Sequence, residues 1–287
     1  MPTTDSPLRY PGGKSQLTPL VVDILRANDL LYGHYVEPCA GGAGIAWKLL
    51  LNGYVTHVHI NDIDPAIHAF WHCVLNDADD LCERIATSKV TMAAWYRQRA
   101  IHRRQDASDK QSLAFATLFL NRTNRSGIIT GGVIGGQDQE GDYRIDCRFY
   151  RETLIRRIQR IARYGRQVTL TRRDARTYLT TWVPKLPKRS LVNLDPPYYV
   201  KGPELYRNHY TPRDHQELAH AIKRVRQSWI VSYDDTPETR RLYRGFPSFT
   251  QELNYTAQEK RTGLELLVLD RRLQAPPSLQ PALAEAA

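Results

Sequence analysis

Asp195-Pro196-Pro197-Tyr198 follows a short apolar run, Leu191-Val192-Asn193-Leu194, and the two together decide how the chain is read. The run reads as a buried strand, and two consecutive prolines end any ladder or helix beyond it. A carboxylate, a rigid kinked backbone and an aromatic ring are thereby presented at the carboxyl end of a strand. Open α/β sheets bind their ligands there. Such a set suits methyl transfer to the exocyclic amino group of a base. The Asp195 carboxylate and the Pro196 carbonyl would accept the two amino hydrogens, and Tyr198 would stack on the ring of an extruded base. Taken alone, the tetrapeptide also fits a proline-terminated strand with a chance aromatic. The flanking motifs have to decide.

Upstream, Tyr35-Val36-Glu37-Pro38 reads as a strand end running into Cys39-Ala40-Gly41-Gly42-Ala43-Gly44, with Ile45–Leu51 as a helix. A glycine-rich turn between strand and helix lets backbone approach a ligand, with the helix N-terminus behind it. A second strand, Val55–Ile60, ends at Asn61-Asp62-Ile63-Asp64. An acidic residue about twenty positions after the glycines is what grips a ribose diol. This pair would serve NAD as readily as S-adenosylmethionine. Earlier still, Gly12-Gly13-Lys14-Ser15 lacks the upstream glycine of a phosphate loop, because Leu8 stands in its place. What remains is a tight turn delivering the Tyr10 ring and the Lys14 ammonium.

From about Phe70 to Arg166 the strand–helix alternation lapses. Lys110–Leu120 is an apolar helix candidate, and it runs into a polar, glycine-rich segment that extends through Gln137. Basic residues, a short β-prone piece and repeated glycines predict a flexible β-hairpin. Arg122, Asn124, Arg125 and Gln137 are its candidate base readers, since such side chains recognise base edges in a groove. Arg151–Tyr164 is amphipathic, with an Ile/Leu stripe and arginines elsewhere, and is expected to touch phosphates. Alternation resumes with Val168–Thr171 and Asp174, which a helix N-cap role would equally explain. After the Asp195 strand come helix Pro212–Arg226 and strands Trp229–Tyr233, Thr250–Tyr255 and Glu265–Leu269, which complete a seven-strand count. The proline- and alanine-rich tail from Gln274 lacks periodicity and is expected to be disordered.

Composition narrows the partners. The 287 residues carry a formal net charge of +10, which favours a polyanion. No apolar run reaches the ~18 residues of a membrane helix, and Met1–Ser6 is too polar for a signal peptide. Cys39, Cys73, Cys82 and Cys147 show no metal or disulfide spacing. His68 and His72 share a helical face, but nothing in the sequence completes a metal site, so none is expected. A cytoplasmic protein is.

With these residues together, the chain resembles the Dam-type adenine-N6 DNA methyltransferases from about Leu8 to Asp270. Arg9-Tyr10-Pro11-Gly12-Gly13-Lys14 resembles the family's aromatic-x-Gly-Gly-Lys box, and Glu37–Gly44 its cofactor loop. Asn61–Pro65 is similar to the ribose-binding segment, Leu120-Asn121-Arg122 to the opening of the recognition hairpin, and Asp195–Tyr198 to the catalytic motif. The resemblance implies a Rossmann-like, seven-stranded α/β fold formed by residues 1–72 and 166–273. Residues 73–165 would form a mainly helical target-recognition insertion, with 274–287 as a tail. It implies S-adenosylmethionine as cofactor, held by Tyr10, Lys14, Glu37, Asp62, Asp174 and Asp195. It also implies catalysis by Asp195, Pro196 and Tyr198 on double-stranded DNA, by a monomer in a bacterial or phage-infected cell. Arg125 and Thr130 stand where the Dam type has its wedge aromatic and guanine-reading arginine, so a target other than GATC is expected. RNA or cytosine-N4 methylation, and a non-catalytic DNA-binding relative, are the alternatives.

Overall fold

The computed structural model describes residues 5–9, 14–200, 210–255 and 261–279. Seven strands make one sheet: β1 (His34–Glu37), β2 (His57–Asn61), β3 (Val168–Thr171), β4 (Ser190–Leu194), β5 (Ser228–Asp234), β6 (Ser248–Tyr255) and β7 (Arg261–Leu269). Their order is β3-β2-β1-β4-β5-β7-β6. β1 to β5 run parallel, and β7 is antiparallel to both β5 and β6. Strand order reverses between the neighbours β1 and β4, so connections leave their carboxyl ends in opposite directions and open a crevice there.

Strand alternation divides the apolar side chains between the two faces. Tyr35, Leu191 and Ile230 join one core, while Val36, Val192 and Val231 join the other. The first core includes residues of α1 (Thr18–Ala27), α2 (Gly44–Leu51) and α3 (Pro65–Asn76). Between α3 and β3 come α4 (Ala78–Thr87), α5 (Met92–Arg104), α6 (Lys110–Thr123) and α7 (Arg151–Ala162). The second core includes residues of α8 (Ala175–Thr181) and α9 (Pro212–Lys223), with Leu242 at the end of α10 (Pro237–Leu242) against it.

Three expectations need correction. The boundary after residue 72 falls inside α3. Trp95, Leu118, Phe119 and Ile158 of the helical segment pack in the same core as Val58 and Ile60 of β2, so that segment shares a core with the sheet. The β-hairpin is not a ladder either. Helix α6 continues through Thr123, and a single bridge, Asn124 with Val133, follows it. Asn124 is fully buried and donates to the carbonyls of Ile128 (3.0 Å) and Ile129 (2.8 Å), which closes a compact turn where strand pairing would begin. Finally, the tail docks through residue 279. Leu279 is buried, the Gln274 amide donates to Asn28, and the Ser278 hydroxyl donates to Asp23 of α1. Residues 280–287 lie outside the described set.

One buried side chain ties the strand ends that frame the crevice. Asn61, fully buried at the end of β2, donates to the carbonyls of Pro38 (2.8 Å) and Arg173 (3.0 Å). Its own carbonyl accepts from the Thr171 hydroxyl (2.8 Å) and the Arg173 amide (3.0 Å). Asn61→Ala would strand all four groups, and we expect it to lower the unfolding free energy by about 3 kcal/mol. Urea denaturation measures this, and a loss below about 1 kcal/mol would show that the neighbours repair the gap.

Candidate active site

Asp195 leaves β4 beside the crevice, and its surroundings are built by segments distant in sequence. Lys14 sits at the start of a single 3-10 turn, Ser15–Leu17, and its ammonium is almost wholly buried. Its Nζ lies 2.7 Å from Asp195 Oδ1 and 2.8 Å from Glu265 Oε2 on β7. The Tyr198 hydroxyl donates to Glu265 Oε1 at 2.8 Å, and Lys14 Nζ lies 5.1 Å from the centre of the Tyr198 ring. Burial works to lower the Lys14 pKa, but the two carboxylates outweigh it and hold the ammonium above its ordinary value. Burial pushes Asp195 upward against the pull of Lys14. Beyond Tyr198, the Asp234 carboxylate at the end of β5 accepts from the amides of Tyr199 (2.8 Å) and Val200 (3.1 Å), which fixes the exit of the loop.

Across the crevice stands the glycine turn. Gly41 adopts φ 47°, a conformation glycine reaches without the Cβ penalty, and its amide donates to Asp62 Oδ2 at 2.9 Å. Asp62 Oδ1 accepts from the Asp64 amide at 2.9 Å. Burial, reinforced by Asp64, raises the Asp62 pKa to about 7. The Trp71 indole of α3 donates to the Gly41 carbonyl at 2.8 Å, so the turn is held from both sides. Glu37 accepts from the Ala46 amide at 3.2 Å, near the start of α2. Its pKa is raised to about 8 by burial first and then by the Asp195 charge.

Lys14, Glu37 and Asp195 are thus coupled electrostatically, and Asp62 meets the glycine turn across β1 and β2. Asp174 caps α8, accepting from the Thr177 amide at 3.0 Å, which is the helix-cap alternative already raised. Tyr10 lies outside the described residues. Arg122 and Asn124 face inward. The Arg122 guanidinium is buried and its Nε donates to the Pro7 carbonyl at 2.8 Å; Asn124 accepts from the Trp95 indole at 2.7 Å. Their neighbour Asn121 binds Arg9 through both its amide and its carbonyl, at 2.7 and 2.5 Å. A Cβ at Gly127 would come within 2.4 Å of the Arg9 carbonyl. These residues therefore clasp the segment that leads to Lys14, and a groove-reading role needs side chains that reach the surface. Arg125 and Gln137 are exposed.

Sequence reading missed Glu265, Asp234 and Trp71 as parts of the site. A charged residue beginning an otherwise apolar run, Leu266–Leu269, was the available signal for the first. At the carboxyl end of α3, the ligand atoms of His72, Cys73 and the following Asp77 lie within 4.8 Å of one another, while Lys110 Nζ stands 3.2 Å from His72 Nε2 and sets a cation against them. Among the described residues, no helix is long and apolar enough to cross a membrane.

The sheet order, the acid-anchored glycine turn and an Asp-Pro-Pro-Tyr exit from β4 define a Rossmann-like methyltransferase. A family model described as D12 class N6 adenine-specific DNA methyltransferase matches residues 10–260, and the chain belongs to that family. Membership implies a methyl donor. Among solved structures, the chain is similar to PH1948 from Pyrococcus horikoshii (TM-score 0.44, 10% identity, covering 91% of this chain and 84% of that one). It is also similar to the rRNA methyltransferase aviRa from Streptomyces viridochromogenes (TM-score 0.38, 15% identity, 90% and 84% covered). A third is the precorrin-6y C5,15-methyltransferase from Geobacter metallireducens (TM-score 0.37, 9% identity, 88% and 87% covered). No curated protein sequence matches the chain.

Proposed function

We propose that the protein transfers a methyl group from S-adenosylmethionine to the N6 amino group of an adenine extruded from duplex DNA. The observation that carries this reading is the Asp195–Lys14–Glu265–Tyr198 cluster at the β4 exit of a D12-family chain. The crevice also fits the cofactor. Asp62, beside the bare backbone of Gly41, would accept from a ribose diol, and Lys14 and Glu37 are assigned to the amino-acid end. When bound, the cofactor supplies an electrophilic methyl group on a positively charged sulfur.

The adenine amino nitrogen is a poor nucleophile because its lone pair is delocalised into the ring. Two acceptors at the β4 exit, the Asp195 carboxylate and the Pro196 carbonyl, would draw the amino hydrogens out of plane and localise that pair. Tyr198 would meet the face of the extruded base. Positioning and charge complementarity then supply most of the acceleration. The methylated nitrogen is acidic and gives up one proton to water as the sulfur departs as a neutral thioether, so no cysteine is needed as a nucleophile. Duplex DNA is favoured over RNA by the family, and the +10 net charge suits a nucleic-acid partner. A non-catalytic relative is disfavoured by the retention of Lys14, Asp62 and Asp195. Incubating purified protein with labelled cofactor and matched DNA and RNA duplexes, then identifying the modified nucleoside, tests the proposal. N6-methyladenine in DNA is expected; label in cytosine, or in RNA alone, would replace it.

Sequence choice should rest on the exposed part of the 125–137 segment. Phosphate contacts position a protein without specifying sequence, whereas a bidentate Arg or Gln contact discriminates by about 1–3 kcal/mol. Arg125→Ala and Gln137→Ala should therefore relax the methylated motif at particular positions while methyl transfer persists. Long-read mapping of modified adenines in expressing cells reads both. A GATC-only pattern left unchanged by either substitution would remove the segment from recognition.

A further inference from the structure

We infer that Glu265 is a positioning residue for methyl transfer, holding the Tyr198 hydroxyl and the Lys14 ammonium together and so setting the charge and geometry of the Asp195 acceptor. The inference rests on the proposed reaction and adds a residue to it. Glu265 lies on β7, in register with Asp234 of β5 and Gln251 of β6, immediately before four buried aliphatic residues. A carboxylate only 2% exposed in such a strand is costly unless it is paired and hydrogen-bonded. Here one oxygen meets Lys14 and the other accepts from Tyr198, both at 2.8 Å. Lys14 in turn reaches Asp195 at 2.7 Å, and Asp195 and Tyr198 belong to the same tetrapeptide. The four side chains therefore close a ring through the amino-terminal segment, the β4 exit and β7.

That ring does two things a simple buried ion pair would not. The bond to Glu265 pins the hydroxyl end of the buried Tyr198 ring, and so the position at which the ring would meet the base. Lys14 is also shared between two carboxylates. Asp195 therefore keeps more of its negative charge for accepting amino hydrogens than it would with the ammonium to itself. Asp195 is faced by Lys14 from the amino-terminal segment, Glu265 from β7, Ser232 from β5, and Glu37 and Tyr35 from β1. Of these only Lys14 is cationic, so Glu265 is the counterweight to it. The Glu265 charge also raises the Asp195 pKa, and its removal should move Asp195 ionisation to lower pH.

Glu265→Gln keeps the side-chain volume and one acceptor oxygen, which the Lys14 ammonium takes, and turns its NH2 to donate to the Tyr198 hydroxyl, but it removes the charge; Glu265→Ala removes charge and hydrogen bonds alike. We expect Glu265→Gln to remain folded, to lose about tenfold in kcat, and to shift the acid limb of its kcat–pH profile downward. Glu265→Ala should lose about a hundredfold, more than its folded fraction accounts for. Wild-type kcat with an unmoved acid limb in Glu265→Gln would overturn the inference. So would activity that falls only in step with the folded fraction, since a purely structural residue does that. A wild-type protein inactive on adenine in DNA overturns the proposed function instead. The ring is then read without activity, by a double-mutant cycle of Glu265→Ala and Tyr198→Phe in urea denaturation. Coupling between the two supports it, and strict additivity overturns it.

Discussion

Replacing Asp195 with alanine is expected to lower kcat by about a thousandfold or more while the protein stays folded. Asp195 stands at the end of a parallel strand with 30% of its side chain exposed toward the crevice, and its partner Lys14 retains a second carboxylate in Glu265. Deleting it therefore leaves no unpaired buried cation, and little loss of stability should follow. What is lost is an acceptor aimed at charge that develops on the amino group, an interaction made mainly in the transition state. Such a loss appears in kcat as well as kcat/KM. Asp195→Asn is a sharper probe, because it nearly preserves shape while the amide keeps its oxygen on Lys14 and turns an NH2 donor toward the amino group it should accept from. Single-turnover methylation with circular dichroism on the same samples separates chemistry from folding. A folded Asp195→Ala protein that retains a tenth of wild-type turnover would remove Asp195 from the role.

How much of this was legible in the sequence follows from how local each signal is. The β4 strand, the double proline, the glycine turn and Asp62 are read from adjacent residues and one fixed spacing, and the structure brings Gly41 and Asp62 into direct contact. The seven-strand α/β fold followed from the same local patterns. Asn121 and Arg122 resemble, with Leu120, the opening of the family's recognition hairpin. Their partners are Arg9 and Pro7, more than a hundred residues away, and no local pattern encodes such a clasp. The hairpin failed for a related reason: Asn124 satisfies backbone carbonyls with its side chain, which sequence alone does not distinguish from an exposed polar reader. Glu265 stood out as a charge heading a buried strand, yet its meaning depended on β7 lying two places from β4 in the sheet. The core shared by the sheet and the 73–165 segment was equally hidden, since periodicity reports a buried face but not what covers it.

Asp62→Ala is expected to weaken S-adenosylmethionine binding by about a hundredfold, close to the loss of a charged hydrogen-bond acceptor worth roughly 3 kcal/mol. Its carboxylate already orders the Gly41 and Asp64 amides, so the substitution also loosens the turn that the cofactor would approach. The raised Asp62 pKa adds a pH dependence whose sign differs between stability and binding. The folded value, about 7, lies above the ordinary 3.8, so the folded protein binds more protons than the unfolded chain between these values. Stability from this group is therefore present at low pH and is lost as pH rises through that window. Cofactor affinity should run the other way. A ribose diol donates two hydroxyls, and only the ionised carboxylate offers both oxygens as acceptors, so binding should strengthen as pH rises toward about 7 and level off above it. Calorimetric titration from about pH 5.5 to 8 measures this, with Asp62→Asn as the control in which the dependence flattens. Affinity within threefold of wild type in Asp62→Ala would place the ribose elsewhere. A flat wild-type profile would mean that Asp62 stays ionised throughout the range, with Gly41 and Asp64 compensating for its burial.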